Sequence, residues 1–138
     1  MAKILKKLGH EVIFYGTEGS DVECDEFVQV LTKKELEAEY GPWEKEKVYG
    51  CNRNGPSHTT FNKNTIKEIN KRKLWGDFLL CCYGSYQQPI AEAVNISDTV
   101  EIGIGYTGSF ARFRIFESQF QMNWSYGAEG KDNGNFYD

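Results

Sequence analysis

The chain has 138 residues, 40% hydrophobic and 14% aromatic, with a formal charge of −4 at neutral pH. That length and apolar content suffice for one packed domain and exclude a disordered chain, and without a long basic run the acidic balance excludes nucleic acid as the main partner. No apolar run reaches the ~18 residues of a membrane span and no leader pattern opens the chain, so a soluble, cytoplasmic protein is expected.

Taken in chain order, Ile4, Leu5 and Leu8 have helical spacing, and Gly9 is placed to end that short helix, with His10 in a capping or packing role. Residues 11–15 read as a strand whose consecutive apolar side chains, Val12, Ile13, Phe14 and Tyr15, suit a parallel sheet covered on both faces. A glycine-bearing loop follows at 16–20, then a second short strand at 27–31. Thr32 and Glu35 form a capping box that starts a helix, and Gly41 with Pro42 stops it after Tyr40. Residues 43–60 read as a long surface connection. A helix then resumes near Asn64, with Ile66, Ile69 and Leu74 on its buried side and Gly76 at its end. Its basic residues Lys67, Lys71, Arg72 and Lys73 are offset by Glu68 and form a solvated face.

Residues 78–83, apolar throughout, give the clearest strand; 84–88 is a loop, Pro89 opens a helix that runs through Val94, and 99–104 is the last strand. Phe113, Phe116, Phe120 and Trp124 have the spacing of a helix stripe packed in the core, and the tail at 128–138 is expected to fray. The four cysteines, 24, 51, 81 and 82, lack metal spacing, and Cys81 and Cys82 on one strand point to opposite faces; buried thiols are the expectation.

Strand and helix alternate, which is the signature of an α/β fold with a largely parallel sheet. Ligands bind at the carboxyl ends of such strands. Glycine-bearing loops leave three strands, at 16–20, 84–88 and 103–109, and in a parallel sheet they share one edge. Ser85, Tyr86 and Gln87 add hydroxyls, an amide and a flat ring, a mixture that holds a polar ligand such as a sugar. Gly103, Gly105 and Gly108 also match the spacing of a dinucleotide fingerprint, although that motif belongs at the first strand of a βαβ unit and is followed by a second strand, and here no residue beyond Gly108 reads as one. No Gly-x-Ser-x-Gly, P-loop, zinc spacing or close carboxylate pair marks a complete active site.

The runs Leu8, Gly9, His10, Glu11, Val12 and Ile13, Phe14, Tyr15, Gly16 resemble the N-terminal, acceptor-side domain of two-domain GT-B glycosyltransferases. So do Val100, Glu101, Ile102, Gly103, Ile104, Gly105, Tyr106 and Phe113, Arg114, Ile115, Phe116, Glu117, Ser118; the likeness spans most of the chain. It implies a single, partial, three-layer Rossmann-like domain over 1–138, with helices on both sheet faces and the opening strand missing. It also implies that the nucleotide-sugar donor sits in a second domain, that this chain carries no cofactor of its own, and that it is inactive alone. The implied ligand is a sugar or glycosylated acceptor, in a crevice over Ser85, Tyr86, Gln87, Gly103, Gly105 and Tyr106. Arg112 and Arg114 would meet an anionic group there, with Glu117 holding them or the loop. An unpaired strand edge would favour a homo-oligomer. The alternatives are a stand-alone nucleotide- or phosphate-binding module and a fragment without a ligand.

Overall fold

The computed structural model describes residues 1–44, 46–50 and 52–133. It is an α/β protein with two parallel sheets, one of two strands and one of three. The chain divides into two compact units, Met1–Arg72 and the residues from Lys73 onward. Among the described residues no helix is long and apolar enough to cross a membrane.

The first unit opens with α1 (Ala2–Lys7). It ends as the glycine requires: Gly9 takes φ +87°, its N–H bonds to the Lys6 carbonyl and the His10 N–H to the Leu5 carbonyl, which closes a Schellman turn. β1 (Ile13–Thr17) pairs in parallel with β2 (Glu26–Leu31). No helix joins them; residues 18–25 make the return, and Asp25 anchors it by accepting from the Val12 N–H and pairing with Lys6 at 2.9 Å. The strand is parallel as expected, but its residues are mostly half-buried.

Thr32 caps α2 (Lys33–Tyr40) through the full capping box with Glu35, and Gly41 stops it at φ +77°. The connection after it is shorter than expected, because α3 (Pro56–Arg72) begins ahead of Asn64. Its signal is unlike a local cap: Glu39, 18 residues upstream, accepts from both the N–H and hydroxyl of Ser57. Part of that connection is locally ordered by Tyr49, whose ring stacks on Trp43 and whose hydroxyl bonds to the Pro42 carbonyl and Glu44 N–H. α3 packs on β2, burying Thr65 and Ile69 together with Val28 and Val30, while Asn64 donates to the Val30 carbonyl. Ile66 is half-buried, and Leu74, beyond the helix end, is exposed rather than buried. The basic face is neutralised as read: Glu68 pairs with Lys71 and Arg72, and Arg72 also reaches Glu26.

In the second unit β3 (Phe78–Cys81), β4 (Asp98–Ile104) and β5 (Phe113–Phe116) form an all-parallel sheet in that order. α4 (Gln88–Val94), with Pro89 in its first turn, links β3 to β4 and buries Ile90 and Val94. β5 corrects the expected helix over 113–124 and shows that a strand does follow Gly108. Phe113, Arg114, Ile115 and Phe116 alternate exposed and half-buried, a period of two, and α5 (Gln119–Asn133) starts only after Ser118 caps it through the Gln121 N–H. The aromatic stripe is therefore not core: Phe120 and Trp124 lie 77% and 50% exposed. α5 also carries chain expected to fray from 128 onward; residues 134–138 lie outside the described residues. Of the cysteines, Cys81 is buried, Cys24 half-buried and Cys82 exposed, against the expectation of burial for all; Cys51 lies outside the described residues.

Candidate functional site

Because all three strands of the second unit run the same way, the exits of β3, β4 and β5 lie at one rim. The loop at 16–20 belongs to the first unit and its own sheet, where Glu18 accepts from the Lys33 N–H at the start of α2.

The β3 exit is a 3-10 turn, Gly84–Tyr86. Gln87 holds it: the side-chain oxygen accepts from the N–H groups of Cys82 and Tyr83 at 2.8 and 3.0 Å, which satisfies donors left over where the ladder ends. Ser85 and Tyr86 are half-buried, and the Tyr86 ring lies 5.2 Å from that of Tyr83, which is 45% exposed.

The β4 exit begins with a bulge. Gly103, at φ +66°, sits where the β4–β5 register slips between Ile102 and Ile104. Residues 105–112 then return to the start of β5 without a helix, so Gly108 precedes a strand and no helix N-terminus follows the Gly103, Gly105, Gly108 spacing. Burial explains how this loop is held. Glu101, fully buried in mid-strand, accepts from the Tyr106 hydroxyl at 2.5 Å and from the N–H groups of Phe110 and Ala111 at 2.9 and 3.3 Å. Donating to a carboxylate in a half-buried position drives the Tyr106 hydroxyl pKa well above the usual phenol range, with burial the larger cause. The same burial pushes the Cys81 thiol, on the register partner of Glu101, up to about 12, so it is inert at neutral pH.

Tyr106 also joins two exits. Its ring lies against Gly84, where an added Cβ would stand 2.9 Å from a ring carbon, and Gly84 is held at φ +58°. At the β5 exit, Glu117 folds back on Gly105, where an added Cβ would stand 2.8 Å from the carboxylate. Gly84, Gly105, Tyr106 and Glu117 are thus brought together, with Ser85, Tyr86 and Gln87 in the adjoining turn.

The arginines lie elsewhere. Arg114, on β5, donates to Glu129 at 2.8 Å and to the Ala111 carbonyl, and lies over the Tyr126 ring; Ser109 also donates to Glu129. Its partner is Glu129, not Glu117. Arg112 precedes β5 at the opposite end of the strand, roughly 17 Å along the chain from Glu117 at ~3.3 Å per residue, with its guanidinium over Phe113. The hub, Glu101, escaped sequence reasoning as a site residue; its one signal is a charge inside an apolar strand run. Comparison with protein-family models, curated proteins and solved structures gave no match to this chain.

Proposed function

We propose that this chain is the acceptor-side part of a nucleotide-sugar-dependent glycosyltransferase of the GT-B type, with the donor nucleotide sugar held by the family's second domain. The finer fold that goes with this reading is a three-layer Rossmann-like arrangement. The observation that carries it is the convergence of strand exits at one rim, with Tyr106 seated on Gly84 and Glu117 on Gly105. Gly84 is closed off by the Tyr106 ring, whereas Gly103 and Gly105 are exposed and Gly103 has open space beside it, so main chain there is within a ligand's reach; the surrounding hydroxyls and rings suit a polyhydroxylated one. Free thiols at Cys24, Cys81 and Cys82 accord with a reducing, cytoplasmic compartment.

Titration of the pure chain with simple sugars, nucleotides and nucleotide sugars tests the reading. Binding of sugars alone is expected. Nucleotide binding would favour a phosphate-binding module, and silence a fragment without a ligand. Transfer by the isolated chain would contradict the expected dependence on a donor domain, whereas transfer on adding such a domain would support it.

A further inference from the structure

Among the described residues, several polar groups around the rim of the second unit are spent on one another. Glu101 is taken by Tyr106 and two main-chain N–H groups, Gln87 by Cys82 and Tyr83, and Arg114 and Glu129 by each other. Among the described residues no hydrogen bond or ion pair engages the Glu117 carboxylate, which lies on the Gly105 main chain. Arg112, which lies over the Phe113 ring and has no ion-pair partner among the described residues, is a strand length away at the other end of β5. The rim therefore offers a ligand an anionic acceptor beside the exposed main chain of Gly105, with the half-exposed Tyr83 ring at the neighbouring β3 exit, and among the described residues no cation pairs with that acceptor.

We propose that Glu117, the Gly105 main chain and the Tyr83 ring form a subsite for an uncharged, polyhydroxylated sugar, in which the carboxylate accepts hydroxyl hydrogen bonds and turns away acidic sugars. This rests on the acceptor reading above and narrows it to neutral acceptors. A carboxylate can accept from two neighbouring hydroxyls at once, and such charge-assisted bonds are about twice as strong as neutral ones. A uronate carboxylate or sugar phosphate placed there would meet like charge instead.

The test is amide-detected NMR titration of the whole chain with glucose, galactose, mannose and N-acetylglucosamine, and with glucuronate as the acidic probe. Neutral sugars should shift the Gly105 and Glu117 signals and bind more tightly than glucuronate. Glu117→Gln, at an exposed position where folding is preserved and checked by circular dichroism, should weaken neutral-sugar binding about fivefold, the loss expected when a charged acceptor becomes neutral. Glu117→Lys should reverse the preference towards glucuronate. Sugar binding that Glu117→Gln leaves unchanged, or glucuronate binding as tight as that of the neutral sugars, overturns this subsite and leaves the acceptor reading standing. No shift with any sugar overturns both.

Discussion

Glu101 shows how much one buried carboxylate can organise. Its three donors all come from the loop that follows its own strand, so losing it strips acceptors from Tyr106, Phe110 and Ala111 together. Glu101→Ala is expected to lower stability by about 3 kcal/mol, the cost of leaving buried donors unsatisfied. Tyr106→Phe removes one donor of the set and should cost about 1.5 kcal/mol. Chemical denaturation of both variants checks the ranking, and a Tyr106→Phe loss larger than that of Glu101→Ala would refute the hub. Gly84→Ala is strained twice, by a left-handed φ and by the Tyr106 ring, and should destabilise by about 2 kcal/mol while moving the Tyr106 signals. The sequence displayed Glu101 as an out-of-place charge, but its partners obey no motif. Phe110 and Ala111 contribute main-chain groups, which carry no side-chain signature.

Two strand-to-strand crossovers in this chain are made by loops instead of helices, and each is tied by a carboxylate: Asp25 before β2 and Glu101 within β4. Parallel pairing without a helix has little periodic signal, and this is why β5 was hidden. Phe113 and Phe116 fit a helical stripe with Phe120 and Trp124 as well as they fit a strand; the pairing of Val100 with Phe113 and Ile102 with Ile115 decides the matter. Where the signal is local, the sequence was enough. The capping box of α2 and the glycine stop of α1 lie within a few residues, and both form as read. Thr32→Ala should cost about 1 kcal/mol, with Thr32→Ser close to neutral, as measured by thermal unfolding. The sequence pattern shows the helix of α3 from about Asn64, but its true start at Pro56 escaped because its N-terminal partner, Glu39, lies far upstream.

For the molecule as a whole, charge pairing predicts a pH response in the first unit. Hydrogen bonds from Lys6 hold Asp25 below the ordinary 3.8, and those from Thr32, Ser57 and Lys71 hold Glu35, Glu39 and Glu68 below the ordinary 4.5. Carboxylates with depressed folded values stabilise the fold above their unfolded values and lose that contribution as pH falls through the folded ones. The residues of Met1–Arg72 should therefore lose amide-exchange protection as pH drops below about 4.5, less steeply in high salt because these pairs are exposed. Protection unchanged down to pH 3 would contradict this. Among the described residues each sheet also leaves open ladder edges: β1 has β2 as its ladder neighbour and β3 has β4, so each keeps one side without a strand. Such edges recruit further strands, and self-association at high micromolar concentration is expected in sedimentation; a sharply monomeric profile would count against it.

Composition and local pattern by themselves determined the α/β class and the ends of α1 and α2 marked by a capping box and glycines, the latter because each depends on residues a turn or two apart. Tertiary structure alone decided that the chain divides into two units, that 113–116 is a strand, that Arg114 answers to Glu129, and that Glu117 at the rim has no hydrogen-bond or ion-pair partner among the described residues. Those outcomes depend on which groups meet after the chain has returned across its own sheet, and no spacing along the sequence encodes such a meeting.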